Sequence, residues 1–147
     1  MKVDRIFDTA IYSQLVEHRE LFGKDESYDE VLERLKFIRQ NMSRAANRGE
    51  HSQDMQVSVD YVYDVGESQG WECVLSGHPL EFTRGGTMWG GKWCNPKSCT
   101  IDRIDSTKGY VEGNIQLICW DVNSLKRDLP ESVFIDLVTD IAMYCNQ

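Results

Sequence analysis

The stretch CTIDRIDSTKGYVEGNIQLICWDVNSLK, from Cys99 to Lys126, sets a carboxylate at Asp102 and carboxamides at Asn114 and Asn123 among short apolar runs. Side-chain oxygens of this kind suit a hard divalent cation, and one such ion can neutralise charge on a scissile phosphate and its leaving oxygen. Phosphodiester hydrolysis also needs a base to activate water, and near pH 7 a neutral imidazole does this best. Where that chemistry wants the imidazole stands Arg103. Its guanidinium stays protonated and cannot accept a proton from water, although it can grip a phosphate through two nitrogens or steady developing negative charge. Asp105, two residues further along an expected strand, points to the same face and is a candidate ligand or base. The three histidines supply no obvious substitute, because His18 and His51 fall in the N-terminal region and His78 in a turn.

Placing such groups requires a strand, a loop, a second strand and a helix, and the pattern supplies them. "CTIDRI" reads as a strand, "DSTKGYVEGN" as an excursion, and "IQLICWDVNSLKRDL" as a strand entering a helix. Upstream, "WECVLSGHPLEF" gives two short strands about a tight turn at Ser76-Gly77, and "TRGGTMWGGKWCNPKS" is glycine-rich enough to be a loop. Pro130, Glu131 and Ser132 open a last helix whose apolar positions 133, 134, 137, 138, 141 and 144 share a face expected to pack on the core. Towards the N-terminus, residues 5–22 show helical spacing. A second helix is expected from Tyr28 to about Ala46, with Ser27 and Glu30 forming a capping box. The segment from Met55 opens either as a strand through Val57, Val59 and Tyr61 or as a helix capped at Ser58 or Asp60.

Net charge is −8 over 147 residues, but the charge is unevenly distributed. Residues 34–49 hold Arg34, Lys36, Arg39, Arg44 and Arg48 with no acid. A second basic run holds Arg84, Lys92, Lys97, Arg103 and Lys108, interrupted by Asp102 and Asp105. Two such blocks, one flanking the motif, suit a polyanion such as double-stranded DNA, with Arg39, Arg44, Arg48, Lys97, Lys108 and Lys126 as the candidate contacts. In the first block the helix dipole, which favours bases late in a helix, accounts for part of the pattern. No run approaches the ~20 apolar residues of a membrane span. The opening residues lack a secretory apolar region, so a cytoplasmic protein is expected. The five cysteines, Cys73, Cys94, Cys99, Cys119 and Cys145, are an odd count and read as free thiols rather than a disulfide framework.

Taken together, Ile101-Asp102-Arg103-Ile104-Asp105, Asn114-Ile115-Gln116-Leu117 and Trp120-Asp121-Val122-Asn123 resemble the motifs of the HNH nucleases, a branch of the ββα-metal (His-Me finger) superfamily. The variant is similar to HNH-like proteins of tailed phages, with Arg103 at the usual catalytic histidine. The resemblance covers about residues 71–127. It implies an α+β fold with an HNH, treble-clef-like ββα core, here within residues 71–147 together with a C-terminal helix and preceded by a helical arm over residues 1–70. It implies Asp102 and Asn123 as metal ligands for Mg²⁺ or Mn²⁺, and Asn114 as the loop brace orienting position 103. The implied activity is metal-dependent DNA cleavage or nicking weakened by loss of the histidine, or, alternatively, nucleic-acid binding or regulation without cleavage. Many relatives hold a structural zinc through two Cys-x-x-Cys pairs. Here Ser76 and Val122 stand where each second cysteine would be, so zinc is not expected and packing by Trp71, Trp89, Trp93 and Trp120 takes its place. Cys94 and Cys99 joining Cys73 and Cys119 in a four-thiolate site is the alternative.

Overall fold

The computed structural model of the chain describes residues 10–23, 26–47, 55–89 and 92–147. The fold is α+β, and the described elements run α1 (Ala10–Phe22), α2 (Glu26–Ala46), α3 (Val59–Ser68), β1 (Thr87–Trp89), β2 (Lys92–Cys94), β3 (Cys99–Arg103), β4 (Ile115–Cys119), α4 (Trp120–Lys126) and α5 (Glu131–Cys145). Two antiparallel pairs form, β1 with β2 and β3 with β4. In the second pair Asp102 faces Gln116, Thr100 faces Ile118 and Arg103 faces Ile115.

One hydrophobic core unites the N-terminal helices with the β3–β4 hairpin. Leu32, Leu35, Ile38 and Met42 recur every three or four residues along α2 and meet Val59 and Val62 of α3 with Leu117 and Ile118 of β4. Burying each such side chain is worth about 1.5–3 kcal/mol. β4 is buried at every position, with α3 over it and α2 beside β3. Side-chain amides extend the sheet at both margins. Gln69 donates to the Leu117 carbonyl at 2.9 Å and accepts from the Leu117 N–H at 3.0 Å, while Asn41 of α2 donates to the Cys99 carbonyl at 2.8 Å.

The open choice at residue 58 resolves as a helix, because the Ser58 hydroxyl accepts from the Tyr61 N–H at 3.1 Å and caps α3. Gly66 in that helix lies under the Trp71 ring so closely that a Cβ there would stand 2.2 Å from a ring carbon. Trp71 also meets the rings of Tyr63 and Phe82 edge-on. This packs the turn segment after α3; the side chains of Trp89 and Trp93 lie outside those described.

Four expectations are corrected. Ser27 lies inside the first turn of α2 rather than capping it, since the helix already runs from Glu26. The glycine-rich stretch read as loop carries the β1–β2 ladder, pairing Thr87 with Cys94 and Met88 with Trp93. Around residues 71–82 two isolated bridges, Glu72–Pro79 and Glu81–Ser98, replace the two expected strands. Packing of α5 on the core is confined to Phe134: Val133, Leu137, Val138, Ile141 and Tyr144 of the expected face are all exposed. Residues 5–9 of the first expected helix lie outside the described residues. No described helix is long and apolar enough to cross a membrane.

Candidate functional site

Thr100 and Asp102 share a face of β3 because strand side chains alternate with period two. Asn123 and Lys126 share a face of α4 because they are three residues apart. α4 follows β4 without a linker and is set against β3 by the preceding loop, where the Ser98 and Pro96 carbonyls accept from the Trp120 and Asp121 N–H groups at 2.9 and 3.0 Å. The two faces therefore meet in two rungs. Asn123 donates to the Thr100 hydroxyl at 3.1 Å, and the Lys126 ammonium lies 3.0 Å from Asp102 Oδ2. Asn123 is thus brought beside Asp102's strand, but its amide nitrogen contacts Thr100.

The second rung is internal. The Lys126 side chain is 1% exposed and that of Asp102 8%. Gln116, opposite Asp102 in the ladder, donates to the same Oδ2 at 3.0 Å and to Glu131 at the start of α5 at 2.7 Å. A buried carboxylate needs a compensating charge and filled lone pairs, and Lys126 and Gln116 provide both. Lys126 is therefore no surface contact for nucleic acid: it is corrected to an internal counter-ion. A divalent cation takes oxygen ligands at about 2.0–2.6 Å and would have to displace that ammonium from Oδ2. The residues as placed do not fit one. Among the described residues no group of three His, Cys, Asp or Glu side chains is placed to hold a metal.

Asn114 organises the loop between the strands. It is buried; its Oδ1 accepts from the Asp105 N–H at 2.9 Å, and its Nδ2 donates to the carbonyls of Asp105 and Gly109 at 3.1 and 2.9 Å. Gly113 just before it adopts φ +83°, a value that favours glycine. Asn114→Ala should cost about 1–3 kcal/mol, the expense of leaving buried polar groups unpaired, and should show as a lowered urea midpoint with an unchanged slope.

Arg103 lies over the loop that Asn114 shapes. Its guanidinium donates to the Lys108 carbonyl at 3.3 Å and its Cζ stands 5.3 Å from the Tyr110 ring centroid. Asp105 does not share its strand, because β3 ends at Arg103 and alternation stops there. The Asp105 carboxylate instead accepts from the Thr107 N–H at 2.9 Å and hydroxyl at 2.6 Å. Those bonds, first the hydroxyl's and then the N–H's, with Lys108 adding to them, hold its pKa below the usual carboxylate value. A carboxylate so stabilised is a poorer base, so the same-face role expected of Asp105 is corrected to a turn-closing one.

The basic blocks divide between structure and surface. Arg34 pairs with Glu30 at 2.8 Å and lies over the Trp71 and Phe82 rings; Lys36 pairs with Glu33. Lys97 pairs with Asp121 at 2.6 Å, a hydrogen bond that raises its pKa and ties the loop to α4. Lys108 remains exposed, Arg39 is half-buried, and Arg48 lies outside the described residues. Arg44 is exposed and borders a cavity of about 430 Å³ between α2, the 84–85 segment, β3 and α4. Asn123 and Thr100 line the same cavity, so it adjoins the first rung.

No family model, curated protein or solved structure matches the chain. Any functional reading accordingly stands on its own residues.

Cys73 and Cys119 are both buried free thiols. Burial, then Cys73, pushes the Cys119 thiol up to about 12, and burial pushes Cys99 likewise to about 12. Burial also raises Cys73, but hydrogen bonds from Ser76, Cys119 and Leu75 together outweigh it and leave that thiol lowered.

Several structural roles escaped sequence reading. Gln116 carried a signal, as the one polar residue in the apolar run IQLIC. Lys126 carried another, three residues from Asn123 on the same helix face. The bond between Arg84, a member of the second basic run, and Asn41 carried none, because they meet only in three dimensions.

Proposed function

We propose that this chain has an HNH-like ββα core and holds the phosphodiester backbone of double-stranded DNA without hydrolysing it. The carrying observation is the buried Lys126–Asp102 pair at 3.0 Å. In that reading the ammonium stands where a nuclease of this type holds its divalent ion, and it supplies the charge that keeps Asp102 buried. A fixed monovalent cation coordinates no water, so neither the metal-bound nucleophile nor its lowered pKa is available. Arg103 at the base position points the same way: it can hold phosphate but take no proton. The bases remaining at the surface, Arg39, Arg44 and Lys108, supply the attraction.

Metal-dependent nicking is the second reading, and Asn114 favours it. The brace it makes on the loop behind Arg103 is the one a cutting site would need. Fluorescence anisotropy of a labelled duplex separates binding from metal dependence. The proposal expects saturable binding that weakens log-linearly with salt and is the same in EDTA as in Mg²⁺. Binding that requires Mg²⁺, or no binding at low salt, would count against it.

A further inference from the structure

The cavity beside the first rung is walled by two guanidiniums with no carboxylate among its lining residues. Arg44 comes from the last turn of α2 and Arg84 from the segment before β1. Arg84 is held rigidly: its Nη2 donates to Asn41 Oδ1 at 2.6 Å and its Cζ stands 5.0 Å from the Phe37 ring centroid. Asn41 is fixed in turn by its bond to the Cys99 carbonyl. Despite this anchoring, Arg84 Nε is buried and, among the described residues, meets no acceptor. Burial, then the like charge of Arg44, lowers the Arg84 pKa. Two cations lining one cavity, one of them with a spare buried donor, repel each other until an anion joins them.

We propose that this cavity is a phosphate site, in which Arg44 and Arg84 clamp one phosphate group, with Ser98, Thr100, Asn123 and Ser124 as further hydroxyl and amide lining. A tetrahedral oxyanion offers enough acceptors for both guanidiniums, which a planar carboxylate does less well. The volume of about 430 Å³ admits a phosphate with an attached sugar rather than a bare ion alone. The site stands on its own geometry; the choice of phosphate over another oxyanion rests on the backbone-binding reading above. The negative end of the α2 dipole lies nearby and opposes an anion. It amounts to about half a charge, against two full ones on the arginines.

The test is a titration of ¹⁵N-labelled chain with inorganic phosphate, followed at the arginine Nε–Hε resonances. The Arg84 Nε–Hε signal should move saturably, and Arg84→Gln and Arg44→Gln should each weaken phosphate binding at least tenfold while keeping the native spectrum. If the Arg84 variant unfolds, the wild-type Nε–Hε shift and the Arg44 variant still decide the matter. A dithymidylate with a 5′-phosphate should compete better than free phosphate if the natural source is a nucleic-acid chain, and no better if it is free phosphate; either result supports a phosphate site. An Arg84 signal unmoved by phosphate, or equal affinity in wild type and Arg44→Gln, overturns the inference. Phosphate affinity unchanged in both variants, with duplex binding intact in the wild type, overturns it and leaves the proposed function standing. Phosphate bound at Arg84 by a chain with no affinity for duplex DNA does the reverse.

Discussion

Lys126→Ala should lower the unfolding free energy by about 3–5 kcal/mol, the usual cost of removing one partner of a buried ion pair. The reason is not the strength of the pair, since gathering two charges from water costs much of what their attraction returns. It is the state left behind: Asp102 would remain in a position where 8% of its side chain meets solvent, with the neutral Gln116 amide as its remaining side-chain partner among the described residues. The penalty should therefore depend on Asp102. Pairing Lys126→Met with Asp102→Leu removes both charges and keeps the volume filled, and most of the lost stability should return. Urea unfolding of the four proteins in the cycle measures this. A cost under about 1 kcal/mol for Lys126→Ala, in the range of exposed ion pairs, would show that Lys126 is not an internal cation.

The second large effect is on affinity. Arg39→Glu with Arg44→Glu should weaken duplex binding by more than tenfold at low salt, since each substitution removes one positive charge and adds a negative one. Each lost phosphate contact should also flatten the slope of log K against log salt by about 0.9, so the pair should remove nearly two units. Neither side chain belongs to the buried set of α2, which is Leu32, Leu35, Phe37, Ile38, Met42, Ala45 and Ala46, so the fold should persist. The slope is the more telling measure. A fall in affinity with an unchanged slope would mean that the substitutions act through the helix rather than through phosphate.

Much of the scaffold around the site was legible because it is local. Ile115 to Cys119 is an apolar run that can only be buried, Gly113-Asn114 marks the turn before it, and the Trp120–Lys126 helix follows directly. Asn114's three bonds close a loop within the stretch the motif spans. What failed depended on where one element ends or how two elements meet. Asp105 was assigned to the face of Arg103 by alternation, but β3 stops at Arg103 and the Thr107 hydroxyl turns the carboxylate aside. Lys126 reads as another surface base, and only the seating of α4 on β3 directs its ammonium inward. The Arg84–Asn41 bond joins residues 43 apart in sequence, a contact no spacing rule anticipates. For α5 the apolar pattern was read correctly as a helix; what the pattern could not say is how little of the core reaches it.

The most direct measurement of the central claim is nicking of supercoiled plasmid in Mg²⁺ or Mn²⁺, run beside a mobility shift, for wild type, Arg103→His and the near-isosteric Asp102→Asn. If Lys126 holds the place of the ion, wild type and Arg103→His should both retard the plasmid, and neither should nick it above the level of Asp102→Asn. Restoring an imidazole should gain nothing, because the missing component is the metal and not the base alone. Nicking by wild type or by Arg103→His that Asp102→Asn abolishes would contradict the account and return the site to metal-dependent cleavage.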